Sequence, residues 1–299
     1  MLIGKEISAQ FSALQLFIVA ELEKHDAQVK FTGDFWNRIE GGGGHTMTAV
    51  NGRIIEKGGV AFSEVHGEIT QAMKTQMGMK GESFMATGVS IVLHSKHPFH
   101  PTIHMNVRYF ETNEGEHWFG GGIDLTPIYI HERLAAEFHM ALKALCDEYD
   151  PTSYLKFKRW ADDYFFLPHR NETRGVGGIF FDHITPENTL EKENLFNFCL
   201  SLGRSFPAIY KNQTLTSHQD PSSENLEWQA LRRSRYVEYN LLFDRGTKFG
   251  IVSNGRTESI LLSMPPMAQW KYNHQPHSGS QEEFTIQRLK KDVDWISLG

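Results

Sequence analysis

The run TIHMNVRYF, Thr102–Phe110, is the stretch that leaves a fold least freedom. In an extended chain Ile103, Met105, Val107 and Tyr109 point one way, and Thr102, His104, Asn106 and Arg108 point the other. One face must be buried. The other carries imidazole, amide and guanidinium groups where a plain solvated face would carry Lys, Glu and Thr. The preceding run alternates in the same sense, with Val89, Ile91 and Leu93 opposed to Ser90 and His94. Paired with these faces together, the two strands would place Ser90, His94, His104, Asn106 and Arg108 on one floor.

Around this pair the sequence predicts strands at Thr87–His94, Thr102–Phe110, Trp118–Leu125, Val176–Asp182, Tyr236–Phe243 and Lys248–Ser253, mostly joined by short links that favour antiparallel pairing. Asn51-Gly52 suits a type I′ turn in a hairpin. Helical periodicity predicts helices over 7–24, 132–149, 154–166, 190–211, 224–235 and 281–293. The first presents Phe11, Leu14, Ile18 and Leu22; the second presents Leu134, Phe138, Leu142, Leu145 and Tyr149. The expected architecture is α+β, with helices packed on a mainly antiparallel sheet in one domain spanning residues 1–299.

Exclusions narrow the chemistry. The net charge of −6 disfavours nucleic acid as a partner, and no apolar run is long enough to span a bilayer. Cys146 and Cys199 read as buried free thiols in helices of a cytoplasmic protein, and the N-terminus does not read as a secretory signal. No GxSxG elbow, Walker A loop or HExxH helix occurs. Gly41–Gly44 reads as a flexible loop or lid ending at His45. Arg170, Arg174, Arg245 and Arg256 each sit in a glycine-flanked context, which suits bidentate recognition of carboxylates. Asp124, in FGGGIDLTP, is a lone carboxylate in apolar surroundings and needs a partner.

The segments WNRIEGGGGHTM, GVSIVLHSKHPFHPTIHMNVRYF, WFGGGIDLTP, FFLPHRNETRGVGGIFFDH, YVEYNLLFDRGTKFG and GRTESILLSMPP, in this order, resemble the oxygen-dependent coproporphyrinogen III oxidases over nearly the whole chain. The resemblance implies a large flat antiparallel sheet sandwiched by helices, and a homodimer. It implies an enzyme of haem biosynthesis that converts the ring A and B propionates of coproporphyrinogen III to vinyl groups with dioxygen, releasing carbon dioxide and hydrogen peroxide, and without an organic cofactor. Under it, Asp124 accepts pyrrole N–H bonds, so that its partner arrives with the substrate, and the glycines before it let the macrocycle approach. Arg108, Arg245 and Arg256, with Arg174 behind them, bind propionates. Ser90, Asn106, Asn254 and Gly255 add neutral contacts, and His104 donates a proton. His94, His104, His139 and His169 match histidines of the family proposed to bind a divalent metal, although their wide spacing has no metal-motif character. The competing expectations are a non-catalytic tetrapyrrole carrier and a metal-dependent oxygenase acting on another anionic aromatic substrate.

Overall fold

In the computed structural model, which describes residues 2–71, 74–75, 80–215, 220–252 and 256–299, seven strands form one antiparallel sheet. In chain order they are β1 (Thr32–Asn37), β2 (Gly42–Val50), β3 (Ile55–Glu68), β4 (Ser83–Ser95), β5 (Thr102–Thr112), β6 (His117–Thr126) and, after a short β7–β8 hairpin (Phe166–Leu167 and Glu172–Thr173), β9 (Gly178–Ile184). The sheet order is β1-β2-β3-β4-β5-β6-β9. The expected α+β architecture is present.

The apolar faces of the central strands point together. Val89 and Ile91 pair with Val107 and Met105, and Met105 pairs with Ile123. This face is covered by α1 (Gly4–His25) and, in the later half of the chain, by α4 (Thr189–Thr214), while α2 (Glu132–Tyr149) packs against α4. Phe196 of α4 meets both Phe11 of α1 and Phe119 of β6. The buried side of α2 is Ala135, Phe138, His139, Leu142 and Cys146, so the helix is rotated slightly from the expected stripe and His139 lies in its centre. Both cysteines are free and buried.

β9 is a protected edge. Phe157 of α3 (Ser153–Tyr164) packs on Phe181, while Trp160 and Tyr164 of the same helix pack on Phe180, so α3 clasps the strand from both faces. At the other edge, β1, no helix among the described residues packs on Phe35, which is 78% exposed.

Three expectations need correction. Tyr236–Phe243 is not a strand. Helix α5 (Ser223–Leu242) runs through it, held at its start by Ser222, whose hydroxyl accepts from the Asn225 N–H in a capping box. The aromatic and branched composition of YVEYNLLF suggests a strand, but the buried residues Arg232, Tyr236, Tyr239 and Asn240 recur at helical spacing. Residues 248–252 likewise lie in helix α6 (Arg245–Val252), with Ser253 outside the described residues. Gly41–Gly44 is not a loop: Gly42 opens β2, and the chain turns just before it.

The hairpin at Asn51-Gly52 exists, but its turn is not type I′. Asn51 has φ 60° while Gly52 has no positive φ. Gly52 is needed for space. A Cβ there would stand 2.3 Å from Asp26 Oδ2, and that buried carboxylate accepts the N–H groups of Arg53, Ile54 and Ile55. Burial alone would raise the Asp26 pKa, yet these backbone donors hold it below the usual range.

Candidate active site

The polar face of the sheet runs opposite the apolar one. Register places Ser90 beside Asn106, Gly88 beside Arg108 and His104 beside Asp124. Ser90 is exposed, and His104, Asn106 and Arg108 are half-buried, so this floor is open to solvent along β4 and β5. Beyond Arg108 four rings stack in sequence across the strands: Phe84 on Phe110, Phe110 on Trp118 and Trp118 on His183, with centroids 5.2, 4.3 and 4.6 Å apart. The sequence reading missed this ladder, although Phe84, Phe110 and Trp118 share the parity of the polar face.

Asp124 is 1% exposed, and both of its oxygens accept hydrogen bonds from the protein. Arg174 donates to it twice, Nη2 to Oδ1 at 2.6 Å and Nε to Oδ2 at 3.1 Å. His104 Nδ1 donates to Oδ1 at 2.9 Å. The expectation that the partner of Asp124 arrives with the substrate is therefore corrected: a lone carboxylate in this interior would be costly, and the fold supplies its own cation. Burial pushes the Asp124 carboxyl upward, but Arg174, aided by His104, holds it below the usual carboxylate range. Arg174 is itself fixed. Its Nη1 donates to Asn240 Oδ1 at 2.7 Å, and its guanidinium lies 4.4–4.6 Å from the ring centroids of Phe165, Tyr236 and Tyr239. Asn240 in turn donates to Ser263 Oγ. The helix misread as a strand thus contributes three of the groups that hold Arg174.

The glycines before Asp124 admit the protein's own groups. A Cβ at Gly121 would press on the Phe181 ring, and one at Gly122 on the Ile179 carbonyl.

Because carboxylates only accept, the Nδ1 of His104 carries the proton and its Nε2 faces Asn106 Nδ2 at 3.5 Å. Arg108 Nη1 donates to Asn106 Oδ1 at 3.1 Å. One polar chain therefore runs from Arg108 through Asn106, His104, Asp124, Arg174 and Asn240 to Ser263.

The other arginines are placed apart. Arg245 is exposed, with its guanidinium 5.2 Å from the centre of the Tyr164 ring. Arg256 pairs with Asp34 of β1, four strands from Arg108. Asn254 and Gly255 lie outside the described residues.

The four histidines matched to a metal set are not gathered. His94 donates from Nε2 to the Ser263 carbonyl at 2.8 Å, which leaves Nδ1 to accept from Thr102. His139 donates from Nε2 to the Val176 carbonyl, and its Nδ1 accepts from Tyr154. Burial lowers the first to about 3 and the second to about 4, so both stay neutral. His169 pairs with Glu238. Neither His94 nor His139 has a free lone pair, and among the described residues no three His, Cys, Asp or Glu side chains could hold one ion. These residues do not fit a resident metal.

Comparison with known proteins agrees with the resemblance. The family model for coproporphyrinogen III oxidase matches residues 6–295. The chain is 46% identical to the oxygen-dependent coproporphyrinogen-III oxidase of Drosophila melanogaster, over 97% of this chain and 76% of that protein. It is 45% identical to the protein of the same name from Francisella tularensis subsp. holarctica, over 95% of each. It is 44% identical to the mitochondrial human protein, over 94% of this chain and 65% of that one.

Proposed function

The chain belongs to the coproporphyrinogen III oxidase family, and from that premise we propose how its residues divide the work. It is an oxygen-dependent coproporphyrinogen III oxidase of haem biosynthesis. Each of two propionates loses carbon dioxide and two hydrogens to become vinyl, and dioxygen takes both electrons and leaves as hydrogen peroxide. The pyrrole ring is electron-rich and reacts with oxygen itself. What the protein must supply is position, charge and a proton path.

The observation that carries this assignment is the His104–Asp124–Arg174 chain at the closed end of an open polar floor. His104 is the proton-transfer group, through the Nε2 that faces Asn106 on the floor. Asp124 stays ionised, fixes the imidazole and places negative charge behind it, while Arg174 positions Asp124. This division differs from direct contact between Asp124 and the pyrroles, because His104 is 18% exposed and Asp124 only 1%. Ser90, Asn106 and Arg108 meet the substrate on the floor. Arg245 and Arg256, joined by Asn254 and Gly255, take its outer carboxylates.

An oxygen electrode with coproporphyrinogen III, followed by fluorescence of the oxidised product, tests the reaction. One oxygen consumed per vinyl group formed is the expected result; tight binding without oxygen uptake would leave only a carrier. A homodimer suits the exposed Phe35 of edge strand β1 and the exposed Ile39 that follows the strand, and sedimentation at twice the 34.2 kDa chain mass checks it. A cytoplasmic location suits two free thiols, and cell fractionation checks it. Among the described residues no helix is long and apolar enough to cross a membrane.

A further inference from the structure

Arg108 does not stand free on the floor. Its Nη2 lies 2.8 Å from Asp182 Oδ1, with the arginine 42% exposed and the aspartate 15%. The arginine is the more exposed partner and the acid the more buried one. The two residues belong to β5 and β9, with β6 between them. Where the pair crosses β6 the residue is Gly120, and a Cβ there would stand 2.8 Å from both Arg108 Nε and Asp182 Oδ1. The crossing sits at the irregularity between Phe119 and Gly121, where β6 and β9 shift register. Asp182 Oδ1 also accepts the His183 N–H at 2.9 Å, and His183 has φ 48°. A missing side chain, a bulge and a left-handed residue thus converge on one ion pair.

We infer that Asp182 is an internal carboxylate that occupies Arg108 in the free enzyme and competes for it with a substrate propionate. It is a specificity-determining residue, and the inference rests on the reading that Arg108 binds a substrate carboxylate. With Nη1 donating to Asn106 and Nη2 paired with Asp182, an incoming carboxylate competes with the internal acid for the charge and the N–H groups of the guanidinium. Ligands without a carboxylate in register cannot displace it. Once a propionate has become vinyl, Asp182 recaptures the arginine, so the product, with two carboxylates fewer, is held less tightly than the substrate. Arg256 is countered in the same manner by Asp34.

The test is the steady-state kinetics of Asp182→Asn, which keeps the size of the side chain and the acceptor for His183 while removing the charge. KM for coproporphyrinogen III is expected to fall about two- to fivefold, the range set by a partly exposed ion pair. Inhibition by protoporphyrinogen IX, which has a vinyl group where that carboxylate stood, is expected to change less than KM, kcat is not expected to rise, and Asp182→Glu is expected to restore the parent KM. Asp182→Ser carries the same expectation should the Asn variant fold poorly. A KM that is unchanged or raised in the charge-free variants overturns the inference. Arg108→Gln separates the two layers. If it leaves KM unchanged, the substrate role of Arg108 fails and the competition falls with it. If it raises KM while Asp182→Asn does not lower it, the competition alone fails.

Discussion

At the scale of single residues, ionisable groups on the polar side of this sheet are paired before any ligand arrives. Asp124 has Arg174, Arg108 has Asp182, and Glu238 has a set of donors of its own. Its Oε1 accepts from Arg170, Arg235 and Trp270, and its Oε2 from His169 and Arg170. Burial alone would raise the Glu238 carboxyl, but the bonds from Arg170, His169 and Trp270 bring it down to about 2. The sign of the consequence follows from linkage. Because the folded pKa is depressed, the stabilisation is fully present above the unfolded value of 4.5 and is lost as pH falls toward about 2. Denaturant unfolding at a series of pH values should therefore show wild-type stability falling more steeply below pH 4.5 than that of Glu238→Gln. The variant should be the less stable protein at neutral pH, and the two curves should converge in acid. Parallel curves would show that Glu238 is not coupled to folding in this way.

At the scale of elements, strands with one apolar and one polar face were readable directly. Ile103, Met105, Val107 and Tyr109 are all buried, and Ser90 and Asn106 meet across the β4–β5 ladder as the alternation requires. Period-two patterns survive translation into structure because a one-residue slip would turn every apolar side chain to the wrong face. YVEYNLLF was misread because its composition favours strands, whereas its fate is set by distant partners. On α5 Tyr236, Tyr239 and Asn240 turn toward Arg174, while Glu238 turns the other way toward Arg170. No local rule announces that one helix must serve two polar networks on two sides. The Asn51-Gly52 turn was legible as a turn but not as a type, since Gly52 is required by the Asp26 carboxylate, a residue of another segment. Candidate residues of the site were legible as chemistry, not as pairs. Arg174 was expected to meet a propionate and instead meets Asp124, and Asp182 was overlooked because a lone acid at a strand end carries no signal of its own.

At the scale of the whole molecule, a net charge of −6 and an anionic substrate would repel each other were the sheet not built to localise its cations. The helices divide this labour. α1 and α4 bury the apolar face, and α3 closes the β9 edge. α5, with the segment around Ser263, anchors the buried end of the polar chain. The open end, from His104 to Arg108, is the part we propose for the ligand. The central claim is that Asp124 acts through His104 rather than by touching the substrate. The most direct test is oxygen uptake by Asp124→Asn over a range of coproporphyrinogen III concentrations, with folding confirmed by circular dichroism. A kcat at least about a hundredfold lower, with KM changed by less than about threefold, is the predicted result. Near-normal kcat, or a loss expressed mainly in KM, would contradict it.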